Sequence, residues 1–298
     1  MRWLVTGANG MLGRELRGVL AEAGETEVSA LARADLDLLD RAALADAVTG
    51  HDVVINAAAW TDVDGAEADE VAATAVNGHA VADLADLCAA SGAFLIQVST
   101  DYVFAGDATS PYPESAPTAP LNAYGRGKLV AERAVLETLP GRGYVVRTAW
   151  LYGAHGKNFV ATMLRLAAQR ETVEVVADQE GQPTWTHGLA AQLVALAGRA
   201  VAGEAEPGVY HGTATGQTSW YGLARAVFEE AGLDPERVRP ITTDRFPRPA
   251  PRPRYSVLGH DRWTLAGLPA LPDWRDMLSS ALPRFDPALI RSAQRAPQ

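Results

Sequence analysis

Tyr124 and Lys128 stand four residues apart in "NAYGRGKL", a stretch whose pattern is helical, so both side chains fall on one helix face. A phenol with a pKa near ~10 is a poor acid at neutral pH, and an ammonium one turn away favours the phenolate and lowers that value. Such a phenol can give its proton to a carbonyl oxygen while a hydride arrives at the carbon, which is general acid catalysis. The lysine can also hold the ribose hydroxyls of a nicotinamide cofactor. Tyrosine and lysine at this spacing occur in many helices with no such role, so the pair needs a cofactor site beside it.

"VTGANGMLGRELRGVL" supplies one. Gly7, Gly10 and Gly13 follow a strand-like run and open a helical one, at spacing G-x-x-G-x-x-G. A turn of this kind must reverse tightly, let backbone approach a pyrophosphate and pack helix against strand. Its N–H groups and the positive helix end then face the phosphates. Asn9, Gly10, Met11, Leu12 and Gly13 are the expected cradle, and the spacing points to the short-chain dehydrogenase/reductase class.

Cofactor choice is expected where the second strand ends, about 20 residues beyond the glycines. There "SALARADLDLLD" places Arg33, with Asp35, Asp37 and Leu38 following. A guanidinium can fork onto a 2′-phosphate, so NADPH is the preferred cofactor. Asp35 nearby leaves NADH use open, and a solvated surface arginine is the plain alternative. The third strand ends in Ala57, Ala58 and Ala59, small residues that leave room for a ligand crossing the sheet.

Polar residues also cluster in "VSTDYVF". Thr100 falls at a strand's C-terminal end, where ligands bind in parallel sheets. Its hydroxyl can bond the same carbonyl oxygen as Tyr124. Ser99, one position back, should face elsewhere. Tyr102 has no lysine four residues on, since position 106 is Gly106.

These residues need strands to place them. "RWLVTG", "EVSAL", "DVVINAA", "AFLIQVS" and "YVVRTAW" are near-continuous apolar runs without in–out alternation, which suits a parallel sheet buried on both faces. Helical patterns near 11–23, 41–48, 67–91 and 122–138 lie between them, so right-handed crossovers and a doubly wound sheet follow. Beyond Trp150 the pattern gives helices near 158–169, 187–201 and 219–231, and strands at 172–176 and 208–212. The proline-rich stretch 240–258 is expected as an irregular loop over a site, and the tail after 285 as mobile.

Composition excludes other classes. A net charge of −10 without basic blocks argues against nucleic acid. The single cysteine, Cys88, forms no internal disulfide and fits a reducing compartment as core filler. No signal-peptide layout or apolar run near ~18 residues is present, so a cytoplasmic protein without membrane association is expected. His211 reads as structural, and no histidine spacing suits zinc.

The glycine turn, "NAAAWTDVDGAE", "STDYVF", "PLNAYGRGKLVAE", "RTAWLYG", "NFVATMLRLA", "DQEGQPTW" and "RPRYSVL" together resemble the dTDP-4-dehydrorhamnose reductase family, colinearly from residue 2 to about 280. The resemblance implies an α/β protein, a Rossmann-type doubly wound parallel sheet with a smaller C-terminal α/β substrate lobe. Residues 1–152 with a return at about 182–215 would bind NAD(P), and about 153–181 with 216–290 the substrate. It implies reduction of the 4-keto group of a dTDP-4-keto-6-deoxy-L-hexose to dTDP-L-rhamnose by NADPH or NADH. The family's catalytic trio falls on Thr100, Tyr124 and Lys128, and its substrate contacts on Asp101 and Trp150. Arg252 would fork onto the diphosphate, with Arg254 and Lys157 as weaker candidates, and Gln182, Pro183 and Thr184 would line the nucleotide pocket.

Some members of that family bind magnesium through glutamates at a dimer interface. No matching positions occur here, so no metal is expected, and a homodimer stays open. Two rival readings are a sibling deoxysugar reductase of an antibiotic pathway, including the dihydrostreptose type, and a non-catalytic subunit resembling the regulatory subunit of methionine adenosyltransferase.

Overall fold

Apolar runs with no in–out alternation become interior parallel strands, because both faces of each must be covered. The computed structural model describes residues 1–295. Its first half runs β1 (Trp3–Thr6), α1 (Met11–Glu22), β2 (Val28–Leu31), α2 (Arg41–Val48), β3 (Val53–Asn56), α3 (Val63–Ala68), α4 (Glu70–Thr74), a π-turn over Ala75–His79, α5 (Ala80–Ser91), β4 (Phe94–Thr100), α6 (Ala123–Thr138) and β5 (Gly143–Thr148). The second half adds β6 (Leu151–Tyr152), α7 (Phe159–Gln169), β7 (Val173–Val176), β8 (Glu180–Gly181), β9 (Thr184–Trp185), α8 (Thr186–Val201) and β10 (Gly208–His211). It ends with β11 (Ala214–Thr215), β12 (Thr218–Ser219), α9 (Trp220–Glu230), β13 (Val238–Ile241), α10 (Asp261–Leu265), β14 (Leu271–Asp273), α11 (Trp274–Ala281) and α12 (Pro287–Gln294).

Six strands form one sheet in the order β10-β5-β4-β3-β1-β2, every pairing parallel. The chain leaves β1 for β2, then returns past β1 to β3. The winding direction reverses between β1 and β3, and beyond their C-terminal ends a ligand crevice opens. One face buries Trp3, Val5, Ile55, Ile96 and Val146 against α1 and α8. The other buries Leu4, Val54, Leu95 and Val145 against α2, α5 and α6. The fold is the doubly wound α/β sheet that the strand–helix alternation predicts. A separate core gathers Tyr152, Leu164, Val227, Phe228 and Leu278 from α7, α9, α11 and their short strands.

Three segments differ from the sequence expectation. The helix expected over 67–91 is broken into α3, α4, the π-turn and α5. Asp62 and Asp69 cause this by capping new starts, accepting from Gly65 N and Ala72 N. The proline-rich stretch is not wholly irregular, since β13 pairs with β7 in parallel and Pro240 lies exposed on that edge pair. The tail after 285 forms α12, capped by Asp286 and anchored by buried Ala293; residues 296–298 of that expectation lie outside the described residues. Among the described residues no helix is long and apolar enough to cross a membrane.

Candidate active site

The glycine turn closes on itself at the β1–β3 reversal. Gly7 has φ +69°, and a Cβ there would fall 2.7 Å from the backbone nitrogen of Ala58. A Cβ on Gly13 would fall 2.2 Å from the Gly7 carbonyl oxygen, so only glycine lets α1 start this near the strand. Beyond the turn lies a cleft of about 430 Å³ lined by Gly7, Asn9, Gly10, Arg33, Asp37 and Leu38, with Ala58, Ala59 and Trp60 opposite. Ala57 abuts Gly7, whereas Leu12 and Gly13 are buried packing residues and Met11 leans toward Gly153. The structure therefore brings Gly7, Asn9, Gly10, Arg33, Asp37, Leu38, Ala58 and Ala59 to the cleft, while Met11, Ala57, Tyr124 and Lys128 lie outside its lining and Leu12 and Gly13 are turned to the core.

At the far rim, Asp35 accepts from Ala32 N at 2.9 Å and Asp37 from Leu39 N at 3.0 Å. Both carboxylates thus brace the loop. Arg33 is exposed, and among the described residues it forms no ion pair.

The catalytic candidates meet where α6 crosses the end of β4. Asn122 caps α6 by accepting from Gly125 N at 2.8 Å. Gly125 lies flat against the Tyr102 carbonyl, where a Cβ would approach to 2.2 Å. Lys128, 3% exposed, donates to the Val98 carbonyl at 2.6 Å. Burial pulls its pKa down to about 8, and Glu132 one turn on pulls it back up. Tyr124 is half-buried, packs like Trp60 against the cluster of Ala66, Ala73 and Ala123, and meets Tyr102 edge-on, 6.0 Å away centroid to centroid. Burial and then the Asp101 carboxylate push its phenol above the ordinary value, with nearby Thr100 pulling the other way.

That direction is opposite to the sequence expectation, in which Lys128 lowers the phenol's pKa. The Lys128 ammonium is turned to a backbone carbonyl, and burial dominates at Tyr124. Tyr102, the second phenol, is raised by burial as well.

Thr100 donates to Asp101 Oδ1 at 3.0 Å and accepts from Tyr102 N at 3.1 Å. Asp101 is 3% exposed, with Oδ2 unpartnered, and burial pushes it up to about 6. Ser99 does face the other way, donating to Glu132 at 2.6 Å. Glu132 forms a buried ion pair with Arg147 at 2.6 Å, which the sequence reading missed although Tyr124, Lys128 and Glu132 recur every four residues. His211 is held neutral, its pKa lowered to about 3 by burial and by Arg147.

A second cleft of about 670 Å³ opens on the other side of Tyr102. Phe159, Trp220, Gln179, Phe246, Arg248 and Arg252 are among its walls, together with Arg170 and a single acid, Glu174. The aromatic members were not legible as site residues, because nothing in their local spacing separates them from core aromatics. Trp150 adjoins rather than lines this cleft. Its ring stacks on Trp220 at 3.6 Å and 9°, with Gly181 leaving room beneath. Trp150 is also the one non-glycine among the described residues with positive φ, +48°, the kind of strain that clusters at functional sites.

Gln182 and Thr184 do not line either cleft. Both are buried, Gln182 bonded to Leu258 and Thr213, and Thr184 accepting from Ala214 N. The Gln182 amide is consumed in holding Leu258, and the Thr184 hydroxyl in bonding the Gln182 carbonyl and Ala214 N, which is why they point inward. Pro183 is buried with them, and Arg254 and Lys157 are exposed away from the lining. Arg252 does line the cleft, but its guanidinium pairs with Asp64 at 3.0 Å. Among the described residues no three His, Cys, Asp or Glu side chains are grouped to hold a metal ion.

The model of the "RmlD substrate binding domain" matches residues 1–286. The chain is 55% identical over 284 residues to a dTDP-4-dehydrorhamnose reductase of Streptomyces griseus, covering 95% of this chain and 93% of that one. It is 50% identical over 284 residues to a dTDP-4-keto-6-deoxy-D-glucose reductase of Streptomyces niveus, covering 95% and 96%. A Bacillus anthracis dTDP-4-dehydrorhamnose reductase solved in complex with NADP superposes with a TM-score of 0.87 at 35% identity, covering 94% and 98%.

Proposed function

The chain belongs to the RmlD substrate binding domain family of dTDP-4-dehydrorhamnose reductases, and on that premise we propose that it reduces the 4-keto group of dTDP-4-keto-6-deoxy-L-hexose to dTDP-L-rhamnose, with NADPH preferred over NADH. The observation that carries the reading is the position of Tyr124, edge-on to Tyr102 of the larger cleft and on the same helix as Lys128, which reaches the Val98 carbonyl near the end of β4. A reductase needs a proton donor between a cofactor site and a carbonyl site.

The smaller cleft fits a dinucleotide, because the Gly7–Gly13 cradle has space only where side chains are missing. Gly7, Asn9 and Gly10 would hold the pyrophosphate, Arg33 a 2′-phosphate, and Ala58 and Ala59 would leave room across the sheet. When bound, the nicotinamide supplies the hydride. The chain's own residues handle the proton. The phenol is protonated at neutral pH and gives its proton up as negative charge develops on the substrate oxygen. Thr100, whose hydroxyl donates to Asp101 in the free protein, would turn that hydrogen to the same oxygen when substrate binds, and the buried Lys128 ammonium would offset the phenolate charge as it forms. Residues 1–152 with about 182–215 are assigned to the cofactor half, and about 153–181 with 216–290 to the sugar-nucleotide half. Arg248 and Arg252 supply cations and Phe159 and Trp220 flat surface for a nucleoside diphosphate.

The regulatory-subunit reading falls away, because relatives at about half identity are named as reductases. The Streptomyces niveus relative favours one second reading, a sibling 4-ketoreductase acting on a different dTDP-4-keto sugar. A cytoplasmic location accompanies either. Tyr124→Phe tests the mechanism: turnover should fall about 10²-fold or more while NADPH binding persists. Unchanged turnover would refute the assignment of Tyr124.

A further inference from the structure

The motif "TDVDGAE" has no part in the chemistry described above, yet it touches the loop that lines the larger cleft. Its Asp64, on α3, gathers three donors from the proline-rich loop. Oδ1 accepts from Arg252 Nη2 at 3.0 Å and from Ala250 N at 3.3 Å, and Oδ2 faces Arg248 Nη1 at 3.4 Å. The other terminal nitrogen of Arg252 donates to the Ala250 carbonyl at 2.7 Å. The Arg252 fork is thereby fixed by two acceptors on opposite sides.

The same short helix holds the start of the catalytic helix. Glu67 accepts from Ala123 N at 2.7 Å, one residue before Tyr124. Asn122, the α6 cap, donates to the Pro251 carbonyl at 3.0 Å and so ties that cap to the loop. Asp64 and Arg252 side chains are 24% and 17% exposed, so their attraction is less screened than that of a surface pair.

We propose that Asp64 is a positioning residue for the substrate: it holds Arg252 in place at the cleft wall, and so sets affinity for the substrate's diphosphate. The proposal rests on the reading of the larger cleft as the sugar-nucleotide site. Asp64 is not among the cleft-lining residues, whereas Arg170, Arg248 and Arg252 are. It therefore stands behind the cations rather than in the ligand's place. A free arginine loses much rotamer freedom when it clamps an anion, and an arginine already held loses less.

Asp64→Asn keeps the size and an acceptor for Ala250 N while removing the charge. In the full chain with NADPH, the KM for the dTDP-4-keto sugar and the Kd for dTDP should both rise about tenfold, the scale of one weakened charge-assisted bond. kcat, the Kd for NADPH and the melting temperature should stay close to wild type, and Asp64→Glu should recover part of the loss. Unchanged or tighter dTDP binding would overturn the proposal. So would a joint fall in kcat, NADPH affinity and melting temperature, which marks a structural role. If wild type itself fails to bind dTDP, the reading of the cleft falls and the proposal with it; an active wild type with an indifferent variant overturns the proposal alone.

Discussion

Asp101 carries the clearest conflict between stability and use. Its carboxyl is raised from 3.8 to about 6 because burial disfavours the charged form. Between those two values the folded state binds more protons than the unfolded state, so stability falls as pH rises through that window. Above about 6 the full cost is present. Asp101→Asn should therefore raise the melting temperature at pH 8, with the gain shrinking as pH falls toward 4, while weakening the sugar substrate. A gain over wild type that is the same at pH 4 and pH 8, measured by thermal melts, would contradict the buried charge. Neighbouring Thr100 has its hydroxyl committed to Asp101, so the pair presents one oriented polar edge to the site.

Helix α6 is placed by its glycines. Gly125 has no room for a Cβ because the Tyr102 carbonyl stands 2.2 Å away, whereas the nearest atom at Gly127 is the Thr74 hydroxyl at 3.3 Å. Gly125→Ala should push the start of α6, with Tyr124, off the end of β4 and lower both activity and melting temperature. Gly127→Ala should be close to neutral, since a helix gains about 0.5–1 kcal/mol from alanine over glycine and Thr74 can turn. Equal effects in a matched pair of melts and assays would contradict this placement. Which glycine matters is not visible in "NAYGRGKL", because the clash is with a residue more than twenty positions earlier. What was legible was local: strand and helix periods, the Gly7–Gly13 turn, and the shared face of Tyr124 and Lys128. The direction of Tyr124's pKa was not, because it depends on burial beside Tyr102 and on the Asp101 carboxylate, both more than twenty positions earlier. Nor were the inward turn of Gln182 and Thr184, the Asp64–Arg252 pair or the stacking of Trp150 on Trp220, each of which joins distant segments.

At the scale of the whole molecule there are two clefts, and each has its own source of selectivity. On the smaller cleft Arg33 is the exposed cation at the rim, with Asp35 and Asp37 turned to their own loop. Arg33→Ala should weaken NADPH far more than NADH, read as the ratio of their dissociation constants, and an equal loss of both would sink the 2′-phosphate argument. The larger cleft offers arginines and aromatic walls to a nucleoside diphosphate. Its relation to the catalytic helix runs through Tyr102, whose ring meets Tyr124 edge-on. The most direct single measurement is NMR analysis of the product after incubating the purified chain with NADPH and enzymatically prepared dTDP-4-keto-6-deoxy-L-hexose. NADPH consumption with one new hydroxyl at sugar C4, as dTDP-L-rhamnose, is the expected result. No cofactor oxidation, or a product changed anywhere but C4, would contradict the account.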